Sequence, residues 1–123
     1  MSERATVWPA VPDINEGFGS ISFSYEANDS RSALVVMNGA RKLSLQFTRV
    51  IAFQFEDECP GNFKLPPGMP KLRENLVFPL LKVEDSEWIS QWPMWSNLIH
   101  YMLLSSGDLV RLIASPDVDA RWI

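Results

Sequence analysis

Apolar and polar residues alternate through the first half of the chain. Between Phe18 and Glu26, Ile21, Phe23 and Tyr25 fall on one face, and Ser20, Ser22 and Ser24 on the other. A period of two marks a strand with one buried and one wet face. The cluster Ala27-Asn28-Asp29-Ser30-Arg31 reads as a turn. A second, more buried strand is predicted over Ser32–Met37. Asn38-Gly39 is a hairpin signal, because both residues tolerate positive φ. Lys42 to Thr48 alternates again through Leu43, Leu45 and Phe47, and the same parity resumes at Ile51, Phe53 and Phe55. The pattern allows one long bent strand or two strands joined by a bulge. Residues 18–57 therefore predict an antiparallel meander.

The second half reads differently. Pro60, Pro66, Pro67 and Pro70, with Gly61 and Gly68, make residues 58–75 a long loop. Loops of that length are often functional, although Phe63, Leu65 and Met69 can pin this one as a surface excursion. Leu76–Val83 returns to strand, with Pro79 pointing to an edge or bulge. Asp85 or Ser86 can cap a short helix over Ser86–Trp92 that ends at Pro93. Asn97–Ser115 predicts a hairpin whose two apolar runs meet across Ser105-Ser106-Gly107-Asp108. Both runs are apolar on both faces, so this sheet needs a cover on each side. Residues 1–17 have little periodicity and are expected to be irregular, with Trp8 and Ile14 as anchors. The tail SPDVDARWI ends on Trp122 and Ile123 and is expected to dock back.

These elements predict a single domain over residues 1–123. Its class is mainly β, α+β at the margin: an antiparallel sheet or partly open barrel of about seven strands with one short helix. The length of 123 residues and the apolar fraction of 46% suit one self-sufficient core. No apolar run reaches the roughly 20 residues needed to span a bilayer. The opening MSERATVWPAVPD lacks the basic and apolar regions of a signal peptide. The single cysteine, Cys59, leaves no partner for an intramolecular disulfide, and a cytoplasmic location is expected.

The net charge of −4 argues against nucleic acid as a partner, since phosphate binding needs clustered bases. Arg41, Lys42, Arg49, Lys64, Lys71, Arg73 and Lys82 give the middle of the chain a basic balance without forming a stripe.

Candidate chemistry is sparse. His100, the only histidine, is the obvious acid–base group. Its place among Leu98, Met102 and Leu104 reads first as structural. One histidine and one cysteine cannot supply the usual zinc set, so no metal or cofactor is implied. Cys59 follows Glu56-Asp57-Glu58, whose charges disfavour a thiolate. These three acids alternate in direction at a strand end, which weighs against a cation site. The sequence contains no GxGxxG, P-loop, GxSxG or HExxH motif, and no catalytic residue is assigned.

The aromatic set carries more. Of five tryptophans, Trp88, Trp92 and Trp95 are spaced i, i+4 and i+7, a helical stripe that Pro93 shortens. Such rings either cover the sheet or present a patch to a protein or a sugar. Glu84, Asp85 and Glu87 flank them, and an aromatic centre with an acidic rim suits a basic protein partner.

The segments RVIAFQFEDE, LLKVEDSEWISQW and HYMLLSSGDLVRLIAS resemble a group of small bacterial β-rich proteins of unassigned function. That group is loosely similar in build to the immunity proteins that neutralise bacterial toxins. The resemblance runs from Leu43 to Ala114 and rests on Arg49, Phe53, Phe55, Val83, Ser86, Trp88, His100, Tyr101 and Asp108. It departs in the loop Pro60–Pro70 and carries over no catalytic residue.

The leading expectation is a non-enzymatic protein-binding module, immunity-like and bacterial. Its anchors would be Trp88, Trp92 and Trp95, with Glu84, Asp85 and Glu87 as rim. One alternative is a small-ligand or carbohydrate-binding domain with His100 and Tyr101 at a pocket mouth. The other is an enzyme using His100. A homodimer is a further expectation, a second copy covering an apolar sheet face.

Overall fold

A computed structural model describes residues 3–27, 29, 31–57, 68–73 and 76–123. Cys59 and the greater part of the loop 58–75 lie outside the described residues.

The fold is mainly β and antiparallel throughout, with eleven strands among the described residues rather than seven. In chain order these are β1 Arg4–Val7, β2 Ser20–Glu26, β3 Ser32–Asn38, β4 Lys42–Phe47, β5 Ala52–Asp57 and β6 Lys71–Arg73. They continue with β7 Leu76–Val77, β8 Leu80–Glu84, β9 Ile99–Leu104, β10 Asp108–Ala114 and β11 Val118–Trp122. One sheet has the order β1-β8-β9-β10-β5, the second β11-β4-β3-β2, and β6-β7 forms a small ribbon. The two large sheets are open and do not close into a barrel.

Their facing sides share one core. Ile21, Val35, Met37, Leu43, Leu45 and Phe47 from the four-stranded sheet meet Leu80, Tyr101, Leu103, Val110 and Leu112 from the five-stranded one. Trp8 joins that core, its ring 4.6 Å from Tyr101 and 5.8 Å from Phe47. The other side of the five-stranded sheet carries a second cluster of Ala5, Leu81, Val83, Met102, Leu104 and Leu109, covered in part by Met69, Val77 and Phe78. This explains the two-sided apolar character of the β9–β10 hairpin: it is the middle of a sheet with a cover on each face.

Four expectations need correction. The segment 1–17 contains β1, a short edge strand paired with β8 from Arg4↔Glu84 to Val7↔Leu81. The run from Lys42 to Asp57 is two strands in different sheets. The chain turns at Arg49, which takes a left-handed φ of 51°, and the Val50 and Ile51 amides bond to Arg31 O and Ile113 O. Alternation survives the crossing because β4 and β5 face the same core from opposite sides. The Asn38-Gly39 hairpin forms, but neither residue has positive φ. Glycine is needed at position 39 for close approach instead, since a Cβ there would meet Phe18 Cδ1 at 3.2 Å and Gly17 O at 3.3 Å. Finally, the helix over Ser86–Trp92 is only a 3-10 turn at Ile89–Gln91. Pro93 leaves too few residues for the costly first turn to propagate.

The expected docking of the tail is realised by β11, which pairs with β4 from Val118↔Phe47 to Trp122↔Leu43. Asp108 ties the sheets together at one end. Its Oδ2 accepts the Ile21 N–H at 2.8 Å, while Ser105 Oγ accepts the Gly107 and Asp108 amides in the hairpin turn.

Candidate functional site

Successive residues of a strand point to opposite faces, and this separates His100 from Tyr101. Tyr101 lies in the inter-sheet core and donates its hydroxyl to Ser115 O at 2.9 Å. Burial, with the nearby Asp117 charge, raises its pKa. His100 lies on the other side of the sheet. The expected pocket mouth shared by the two residues therefore does not form.

The 3-10 segment lies over the His100 end of the sheet. The Trp88 ring stands edge-on to His100, with centroids 5.2 Å apart. Ser86 Oγ lies 2.7 Å from His100 Nδ1 and accepts the Ile89 N–H at 3.2 Å. Neither capping candidate is the N-cap of the 3-10 turn, which is Trp88 without a side-chain cap bond, and Asp85 takes a left-handed φ of 54°. The Glu87 amide bonds Glu3 Oε2, which fastens the segment to the N-terminal side.

His100 is 3% exposed. Its pKa falls to about 4, first because burial penalises the imidazolium and second because the Arg111 charge opposes it. Its Nε2 is buried and bonds to nothing among the described residues. The hydroxyl oxygen, which accepts from Ile89 and has a second lone pair, can accept from Nδ1–H or donate to Nδ1, according to the tautomer. Ser86 and His100 thus have the distance of a nucleophile–base pair. Among the described residues, however, no carboxylate hydrogen-bonds to the ring to orient it. A base with so low a pKa would also be a weak proton acceptor. A cleft of about 530 Å³ opens beside the pair, lined by Lys82, Glu84, Asp85, Ser86, Ser90 and His100 among others. No three His, Cys, Asp or Glu side chains among the described residues converge on a metal position.

The structure brings together two of the three tryptophans. Trp88 and Trp92 meet edge to face at 6.1 Å. Trp95 turns away, and its ring lies 5.6 Å from the Arg31 guanidinium carbon and 5.7 Å from that of Arg49. All three are half-buried, so they act partly as cover and keep part of their surface in solvent. Glu84, Asp85 and Glu87 are exposed, and among the described residues none of them is in an ion pair. Met94, between Trp92 and Trp95, is 75% exposed.

A second aromatic group was not anticipated. Phe23 and Tyr25 of β2 meet Phe53 of β5, each at 4.9 Å, and Phe23 also meets Phe55 at 6.2 Å. β2 and β5 are edge strands of different sheets on the same side of the sandwich. Their core-facing rings line an open seam, leaving Phe53 43% and Phe55 39% exposed. The alternation in sequence shows that these residues face the core; their exposure depends on strand order, which alternation does not carry.

Among the described residues no helix is long and apolar enough to cross a membrane. No protein-family model, curated protein or solved structure matches the chain.

Proposed function

We propose that the chain is a non-enzymatic protein-binding module for a basic partner, of the immunity type and bacterial origin implied by the sequence resemblance. The observation that carries this reading is the Trp88–Trp92 pair bordered by three exposed carboxylates without ion partners among the described residues. Partly desolvated aromatic rings supply the anchor of an interface, and unpaired rim charge supplies steering. The weak basicity of His100 and the lack of an orienting carboxylate among the described residues favour binding over catalysis. A cytoplasmic site of action accords with a single cysteine.

Pull-down from the native host, followed by binding measurements on the purified partner, tests the reading. The wild type should retain a basic protein, and Trp92→Ala should lose it. Neutralising Glu84, Asp85 and Glu87 to their amides should slow association and flatten its salt dependence. Equal retention by Trp88→Ala/Trp92→Ala would remove these residues from the interface.

The cleft beside His100 favours a second reading, a small-ligand or carbohydrate site. Its support is the buried Nε2 without a partner among the described residues. A ligand at about 100 times its Kd should stabilise the fold by about 2.7 kcal/mol. A thermal-shift screen of metabolites and glycans without a single positive would count against it.

A further inference from the structure

The four sheet edges are unequally protected. β1 is only four residues long, and β11 carries Asp119 and Arg121 on its solvent side. Short strands and charges are the usual devices against edge-to-edge pairing. β5 has a different character. It pairs with β10 alone among the described strands, presents Phe53 and Phe55 on one face, and has Gln54 at its middle.

The backbone fixes which groups it offers. Ile51 N–H bonds to Ile113 O across the β5–β10 ladder. Backbone groups alternate in direction along an antiparallel strand. The Ser105 N–H bond to Asp108 O turns the even-numbered residues of β10 to β9 and the odd-numbered ones to β5. Ala52, Gln54 and Glu56, opposite Ile113, Arg111 and Leu109, therefore bond to β10, and the groups of Phe53 and Phe55 face the open edge. This set is self-complementary. A two-fold axis at Gln54 places Phe53 of one copy opposite Phe55 of the other, on the seam side, as hydrogen-bonded pairs. Gln54 then lies opposite its own copy, on the face away from the seam, as a close non-hydrogen-bonded pair.

The charges agree with that arrangement. Arg31 and Arg49 gather around Trp95 near the start of β5, and Glu56 lies near its end. Antiparallel pairing sets the basic end of one copy beside the acidic end of the other, within reach of attraction over about 10 Å.

We propose that β5 is a self-association edge: two copies of this chain pair their β5 strands antiparallel about Gln54, joining two five-stranded sheets and uniting their aromatic seams. This surface is separate from the Trp88–Trp92 face, so the dimer stands or falls independently of the partner-binding reading.

Sedimentation velocity of the intact protein from about 1 to about 100 µM tests the proposal. A concentration-dependent dimer is expected. Phe55→Pro removes one edge-facing N–H and spares the β5–β10 ladder, so the fold should persist and association should weaken at least about tenfold. Circular dichroism checks the fold. If Phe55→Pro does not fold, hydrogen exchange of the wild type decides instead: the Phe53 and Phe55 amides should gain protection with concentration. A monomer throughout this range overturns the proposal, as does a dimer unaffected by Phe55→Pro or unchanged exchange at those amides.

Discussion

Acidification from about pH 7.5 to about pH 5 should destabilise the fold through one side chain, His100. Burial and the Arg111 charge lower its folded-state pKa from 6.5 to about 4. The unfolded chain therefore takes up the proton more readily than the folded one. A group depressed in this way leaves stability intact above the unfolded pKa and withdraws it as pH falls towards the folded one. With a tenfold change worth about 1.4 kcal/mol, the full effect is about 3 kcal/mol. Roughly 2 kcal/mol of it is lost by pH 5.

Since His100 is the only histidine, the window between pH 5 and about 6.5 belongs to it among side chains with ordinary pKa values. Urea unfolding at a series of pH values should show the midpoint falling with unchanged slope. His100→Asn keeps a polar atom near the position of Nδ1 and has nothing to titrate, so its profile over that window should be flat. One imidazole also means one set of ring resonances, so a proton titration reads the pKa directly. A measured value near 6.5, or a wild-type profile as flat as that of His100→Asn, would refute the account of His100 as a buried neutral group under Trp88.

Two further outcomes follow from buried polar ties. Asp108→Ala leaves the Ile21 amide without the carboxylate oxygen it donates to; a cost of about 1–3 kcal/mol is expected by chemical denaturation, together with faster exchange of the Ile21 amide. Tyr101→Phe removes the hydroxyl that donates to Ser115 O and keeps the ring contacts with Trp8 and Phe47; a loss of about 1 kcal/mol is expected, and a neutral or stabilising result would argue that the Ser115 carbonyl finds another donor.

The hairpin β9–β10 was legible because a run apolar on both faces has few places to go except the middle of a covered sheet. The meander β2–β4 was legible because serines at alternate positions mark a wet face. The crossing at Arg49 was hidden for a physical reason. Periodicity records which side of a strand faces the core, and Phe47 and Phe53 both point to the space between the sheets, although they stand in opposite sheets. β1 escaped notice because the alternation of Arg4-Ala5-Thr6-Val7 lasts only four residues; it is a strand by virtue of β8 alongside it. At the candidate site, the Trp88–Trp92 contact followed from spacing, whereas the departure of Trp95 towards Arg31 and Arg49 depended on where two distant turns come to rest. The opposed directions of His100 and Tyr101 could have been read from adjacency alone, since neighbours in a strand do not share a face.

The strand order carries a consequence for how the molecule is made. β1 waits for β8, about eighty positions later, and β4 waits for β11. Each large sheet thus borrows an edge strand from the far end of the sequence. During synthesis β2, β3 and β4 can associate as they emerge, but the five-stranded sheet lacks its centre until β9 and β10 leave the ribosome. Non-local pairing of this kind folds slowly, and in the interval the apolar face of the meander, with Phe23 and Phe47, stands uncovered. The nascent chain is therefore at its most aggregation-prone after β4 and before β10, and this interval is where a chaperone would matter most.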